Sequence, residues 1–263
     1  MIYTKLTRKA IRLCFEAHRE QTDKSGMPYV FHPFHVAESM TDECSTVVAL
    51  LHDVIEDTDI TKEDLSRMGF PTEAVDALCL MTHSKDDDYF DYVARIKEND
   101  VARRVKISDL KHNLDGSRKD SFDERDIARS KKYIRALTYL LGEDNIHKFT
   151  LHPEPFSLIA DGKKTVEMRL YDEKRRRVKI GDVIKFTERD SRDELFAEVI
   201  ALHVFDSFKT LYANLSLQKC GYTEENISTA SPSDMDIYYS SDEQNSYGVV
   251  GIEIKLLGYK NER

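Results

Sequence analysis

His52, Asp53, Glu56 and Asp57 lie within one ten-residue stretch, LLHDVIEDTD, in the middle of an otherwise apolar run. Burying ionisable groups without partners costs on the order of several kcal/mol, so these side chains need a compensating charge. A metal ion is the simplest one. His52 and Glu56 are four residues apart, as are Asp53 and Asp57, so on a helix each acid lies roughly one turn above a member of the His-Asp pair. One helix cannot close a metal shell with adjacent residues alone. The segment PYVFHPFHVA offers His32, and VKISDLKHN offers Asp109 with Asn113 a turn further along. Two imidazoles and two carboxylates make a mixed nitrogen and oxygen set that suits manganese(II) or iron(II) better than calcium. It leaves positions for water, from which the metal would generate a nucleophile. Taken singly, each histidine reads first as a satisfied core residue; taken as a set, they read as ligands. His18 and His35 stay outside that set, because His35, on the helix after Pro33, can simply turn to solvent or to a buried carbonyl.

The elements that must position these residues change character along the chain. Leu6, Ala10, Leu13 and Ala17 follow helical spacing, as do Ile127, Ile134, Leu137 and Leu141. Between them, Thr46 to Ile55 is apolar nearly all round and reads as a core helix. Thr61 opens a capping pattern, TKED, Gly69 is a stop, and a further helix starts after Pro71. DVARRVKISDLKHNL is helical again through Val101, Val105 and Leu114. Residues 1–142 are therefore expected to form an all-α bundle. Beyond Gly142 the period becomes two: Val250, Ile252, Ile254 and Leu256 alternate with Gly251, Glu253 and Lys255. TVEMRLY and GDVIKF alternate likewise, with Gly181-Asp182 expected as a turn between them. The reading is an α+β multidomain chain, helices followed by a small β-rich barrel over 148–263, with LGEDNIHK as the boundary. Thr223 to Asp236 is polar and turn-rich, the composition of a long surface loop or lid.

Composition sets the limits on function. The chain has 263 residues, 40% hydrophobic and 33% charged, enough for two ordinary domains. Charges recur too often for a membrane-spanning run, and the N-terminus lacks a signal core, so the cytoplasm is the expected location. Cys14, Cys44, Cys79 and Cys220 lie far apart and form no CxxC pair. A formal net charge of −9 argues against a protein coated in nucleic acid. It leaves room for the local basic run of Lys163, Lys164, Arg169, Lys174, Arg175, Arg176, Arg177, Lys179 and Lys185. Its core, EKRRRVK, reads first as a solvated turn.

On GMPYVFHPFHVA, ALLHDVIEDT and VKISDLKHN, in that order, residues 1 to about 142 resemble the HD-type hydrolase domain of the RelA/SpoT alarmone family. That family removes the 3′-pyrophosphate of guanosine tetraphosphate and pentaphosphate and uses manganese(II). The resemblance implies one manganese held by His32, His52, Asp53 and Asp109, with Glu56 and Asp57 positioning water and handling protons. It implies substrate contacts from Asn113, Lys24, Arg129 and Tyr133, the last two four apart on one helical face. In QTDKSGMPY the family's usual arginine before Lys-Ser-Gly is Asp23, so Lys24 serves alone. Nothing after Gly142 resembles the family's synthetase, so the expected activity is hydrolysis only. An adenine alarmone of the ppApp type and NADPH are the alternative substrates, since the metal site reads phosphate. A noncatalytic alarmone sensor is the rival from another class, and the intact set of ligands and acids argues against it.

In the second half, Glu167 and Arg169 alternate onto one strand face, opposite Val166 and Met168, with Lys164 at the strand start. That places two cations and one carboxylate at a pocket mouth. GKKTVEMR, followed by RRRVKIGDVIKF, resembles the ASCH domain, a PUA-like barrel, over about 148 to 258, its GxKxxExR pattern met by Gly162, Lys164, Glu167 and Arg169. The resemblance implies RNA or nucleotide binding. One branch of the family hydrolyses acetylated cytidine with a Lys, Thr and Glu set; here the Thr position is Glu167. Binding is therefore the expected role, with Lys164 and Arg169 meeting phosphate or a base edge. The expected partners are a small nucleotide substrate and RNA, with no membrane, and the sequence does not fix an oligomeric state.

Overall fold

The computed structural model describes residues 1–24, 26–84, 86–118 and 121–258. The chain divides into two compact units, Met1–Leu140 and Leu141–Arg263; residues 259–263 of the expected second domain lie outside the described residues. Among the described residues no helix is long and apolar enough to cross a membrane.

The first unit is built from α1 (Lys5–His18), α2 (Phe31–Glu38), α3 (Glu43–Leu51), α4 (Val54–Asp57), α5 (Lys62–Arg67), α6 (Thr72–Met81), α7 (Tyr89–Lys97), α8 (Asp100–Asn113) and α9 (Glu124–Leu141). At its centre is α3, whose Val47, Val48, Ala49, Leu50 and Leu51 are all fully buried, with α1, α2, α6 and α8 packed around it. The deepest stripe of α1 is Thr7, Ala10, Cys14 and His18. Leu6, Leu13 and Ala17 flank that stripe half-buried, so the expected apolar face is rotated by one residue. Small side chains along the stripe let α1 lie close against α3. Thr61 and Asp64 form the capping box at the start of α5, and Gly69 follows its end at φ 79°.

The expected helix from Thr46 to Ile55 is broken. It ends at Leu51, and Asp53, at φ −100° and ψ −3°, starts the short α4. At the break, His52 Nδ1 lies 2.8 Å from the Ala49 carbonyl, the acceptor that a continuing helix would offer to the Asp53 amide. Glu56 and Asp57 consequently leave the apolar core, and both are exposed. They do not stack above His52 and Asp53 as on one continuous helix.

The second unit is a curled five-stranded sheet, a half-barrel, with strand order β1-β3-β4-β5-β2. Its strands are β1 (Ile146–Leu151), β2 (Val166–Leu170), β3 (Val183–Glu188), β4 (Glu194–Phe205) and β5 (Val249–Leu257). β1 runs parallel to β3; the other pairs are antiparallel, with a bulge between Val199 and Ala201 on β4. β2 and β3 are not neighbours, so Gly181-Asp182 is not a hairpin turn. Instead Asp182 is buried beside His147, Oδ2 to Nε2 at 2.7 Å, and accepts the Lys179 amide at 2.9 Å. One face of the sheet packs Val250, Ile252 and Ile254 against Phe149, Phe186 and Ile159. The other packs Val166, Met168, Leu170 and Val249 against Phe208, Leu211 and Met235. Glu167 and Arg169 pair across strands with Ile252 and Val250, which puts them on the first face.

Candidate active site

Three helix-borne segments deliver the expected donors. Pro33 falls in the first turn of α2, where its missing amide leaves no intrahelical bond unmade, so His32 emerges one residue earlier on a rigid turn. His52 ends α3. Because the Ala49 carbonyl can only accept, His52 Nδ1 carries a proton and Nε2 faces the other donors. His32 is turned the same way, its Nδ1 lying 2.7 Å from Nδ1 of His112 on α8. The two Nε2 atoms then meet at 3.2 Å. Asp109 Oδ1 is 3.1 Å from His32 Nε2 and 3.9 Å from His52 Nε2. Asp53 Oδ2 is 3.0 Å from His52 Nε2 and 3.7 Å from His32 Nε2.

Ligand atoms of His32, His52 and Asp109 lie within 4.8 Å of one another, and Asp53 adds a carboxylate on the His52 side. All but Asp53 are buried, and its side chain is only 21% exposed. Burial works against a charged His52, but Asp53 and Asp109 outweigh it and raise its pKa to about 9. Burial would likewise raise the two carboxyls. His52 instead holds Asp53 low, and Lys106 with His32 holds Asp109 well below the usual range. Two ring nitrogens at this distance share either a proton or a cation, and the mixed donors could hold a divalent first-row ion.

Both acids are oriented by neighbouring side chains. Lys106 Nζ lies 2.8 Å from Asp109 Oδ2, and Asn113 Nδ2 donates to Asp109 Oδ1 at 2.5 Å. Asn113 is thus an orienting group of Asp109. The Tyr29 hydroxyl donates to Asp53 Oδ2; burial first, and then Asp53, raises its pKa and keeps the proton on the phenol. Lys106, Tyr29 and His112 stand out in the structure alone. In sequence, their signal is no more than spacing: Lys106 precedes Asp109 by three residues, as Tyr29 precedes His32.

Glu56 and Asp57 sit on α4 beside the donors. Glu56 Oε2 accepts the His83 amide at 2.9 Å. Burial, then Asp53 and Glu56, raises the pKa of Asp57. Lys24 is exposed on a turn closed by pairing of Thr22 with Pro28. Asp23 shapes that turn, its amide donating to the Met27 carbonyl at 2.8 Å and its Oδ1 accepting the Met27 amide at 3.0 Å. Arg129 is half-buried and paired with Asp126. Tyr133, on the same helix, lies 6.3 Å from the Tyr89 ring. His18 is fully buried with Nδ1 2.7 Å from Gln21 Oε1, and His35 is exposed beside Glu38, so neither joins the donors.

In the second unit, Glu167 lies between two cations. Lys164 Nζ is 3.1 Å from its Oε2, and Arg169 Nε is 2.8 Å from its Oε1. Burial alone would raise Glu167, but Lys164 and Arg169 hold its carboxyl below the usual range. The three line the wall of a cavity of about 590 Å³, with Tyr222, Asp234 and Tyr239 also around it. Glu167 is buried and the two cations are half-buried, each turned to the carboxylate. The Thr223–Asp236 segment, expected as a loop or lid, contributes Asn226, Thr229, Asp234 and Met235 to the lining.

Comparison with known proteins fits both halves. The ASCH domain family matches residues 149–258. A Vibrio cholerae protein named guanosine-3′,5′-bis(diphosphate) 3′-pyrophosphohydrolase is 54% identical over 54 residues, 19% of this chain and 8% of that protein. An Aquifex aeolicus protein of the same name is 40% identical over 117 residues, 40% of this chain and 17% of its own length. The chain therefore spans less than a fifth of either relative. A solved structure of a metazoan ortholog of SpoT aligns with a TM-score of 0.45 at 23% identity, covering 54% of this chain and 89% of that one. The chain thus carries an ASCH domain at residues 149–258 and, before it, a region homologous to the (p)ppGpp hydrolases of the SpoT/RelA family.

Proposed function

We propose that the helical unit is a manganese-dependent phosphohydrolase that removes the 3′-pyrophosphate of guanosine tetraphosphate or pentaphosphate. The observation that carries this reading is the meeting of the two imidazole Nε2 atoms at 3.2 Å, flanked by the Asp53 and Asp109 carboxylates. His32, His52, Asp53 and Asp109 would hold the ion, which when bound supplies a Lewis acid and lowers the pKa of a coordinated water. Lys106, Tyr29 and His112 keep those ligands aimed. Glu56 is held by the His83 amide so that its other oxygen is available to orient water. Asp57, with its raised pKa, is suited to hold and deliver a proton. The water oxygen bonds to the phosphorus attached to the ribose 3′-oxygen, that bond breaks, and the leaving oxygen takes a proton. Lys24 and Arg129 offset phosphate charge, and Tyr133 offers a face to the base.

The ASCH domain has a separate role in this reading, which is to bind RNA or nucleotide in the cavity walled by Lys164 and Arg169. The test of the whole is metal analysis of the purified chain, followed by a manganese-dependent screen of 3′-pyrophosphorylated nucleotides. Release of pyrophosphate from a guanosine alarmone supports the proposal. Release of orthophosphate from NADPH in its place keeps the chemistry and changes the substrate. A manganese-loaded chain that turns over none of them contradicts it.

A further inference from the structure

The segment between α6 and α7 places two polar atoms where folding alone gives them nothing to do. His83 Nε2 and the Tyr89 hydroxyl are both buried, and neither has a hydrogen-bond partner. Buried polar atoms are nearly always paired, so two orphans side by side call for a cause. They are neighbours: the His83 and Tyr89 rings lie 6.0 Å apart, and Tyr92 packs against both, 4.9 Å from His83 and 6.0 Å from Tyr89. Tyr92 has its own partner, donating to the Met81 carbonyl at 2.6 Å, so its hydroxyl is accounted for.

The surroundings say which ligand would pair the orphans. The backbone amide of His83 holds Glu56, which puts this wall next to the metal donors. On the other side, Lys106 lies 5.4 Å over the Tyr92 ring while bound to Asp109. Lys132 of α9 lies 4.2 Å over the Tyr89 ring and 5.4 Å over that of Tyr133. Burial, and then repulsion from Lys106 and Arg129, lowers the pKa of Lys132. Of those three cations, Lys106 and Arg129 already have carboxylates. Lys132 stands over aromatic faces beside two donors without acceptors. That combination suits an anion with several acceptor oxygens.

We propose that His83, Tyr89 and Lys132 form a phosphate-binding subsite beside the metal centre, taking phosphoryl oxygens of the nucleotide substrate. This deepens the hydrolase reading and rests on it for the identity of the substrate. Tyr89 donates its O–H, His83 donates from Nε2, and Lys132 supplies charge; none takes part in bond making.

The test uses the full chain loaded with manganese(II) and inorganic pyrophosphate as the probe, followed by calorimetric titration. Tyr89→Phe removes only the hydroxyl, so the aromatic packing persists, and loss of an unpaired buried group leaves thermal stability equal or higher. The expected result is roughly tenfold weaker pyrophosphate binding in Tyr89→Phe and again in His83→Ala, a difference of about 1.4 kcal/mol each. Manganese content and thermal midpoint of Tyr89→Phe stay at the wild-type level. Unchanged pyrophosphate affinity in Tyr89→Phe, or no binding by the wild type, overturns the subsite and leaves the hydrolase reading to stand on its own metal and turnover tests. A wild-type chain that takes up no manganese yet binds pyrophosphate through Tyr89 overturns the hydrolase reading and keeps the subsite.

Discussion

Two buried ionic clusters, one in each unit, handle their charge in opposite ways. In the ASCH domain, Glu167 is flanked by Lys164 and Arg169, so the buried carboxylate has opposite charge on both sides. In the helical unit, two imidazole nitrogens and two carboxylates converge, and Lys106 is spent on the far oxygen of Asp109. The first cluster is charge-paired by the chain's own residues. The second, in the proposed reading, takes a divalent cation from outside the chain. Buried polar side chains are thus not by themselves a mark of chemistry; what matters is whether the chain's own charges close the account.

The comparison breaks most sharply at Asp53. Asp53→Ala should abolish both stoichiometric manganese uptake and hydrolysis while circular dichroism keeps the helical signal; full activity in this variant would remove the metal assignment. Next come the acids of α4. Glu56→Gln and Asp57→Asn should retain manganese but lose about 10²- to 10⁴-fold in turnover, because each keeps its size and loses the carboxylate needed for proton handling. Loss of metal instead would make them ligands. Lys106→Met should weaken manganese binding by about 10- to 100-fold, read by metal titration, since Asp109 Oδ2 loses the group that aims it.

The ASCH triad should respond in stability and not in turnover. Glu167→Gln leaves two half-buried cations without their carboxylate, at about 3–5 kcal/mol of stability of that unit, read from its own unfolding transition. Acid sharpens the same point. Glu167 holds its proton less readily folded than unfolded, so its stabilisation is complete above its ordinary value of 4.5 and is lost as pH falls through the lower folded value. The wild-type thermal midpoint should therefore fall more steeply below that pH than the midpoint of Glu167→Gln.

The convergence of these side chains was legible because their residue types are costly to bury: His52-Asp53 sits inside an apolar run and Asp109 inside a helical one. The break after Leu51 was not, since it accompanies a side-chain contact of His52 Nδ1 with the Ala49 carbonyl that helix periodicity does not encode. The partner of β2 was equally hidden. Val166–Leu170 and Val183–Glu188 alternate as strands should, but β2 pairs with β5, some eighty residues further along the chain, and alternation says nothing about long-range partners. Lys106 and Tyr89 illustrate a third limit: a lysine or tyrosine on a helix carries no sign of burial until its neighbours are in place.

The central claim is that the cluster in the helical unit is completed by a metal and the ASCH triad is not. The most direct measurement is a manganese(II) titration of the full chain, followed by electron paramagnetic resonance of the free ion. The account predicts one tightly bound manganese per chain in the wild type and in Glu167→Gln, and none in Asp53→Ala. No stoichiometric uptake by the wild type, or uptake that survives in Asp53→Ala, would contradict it.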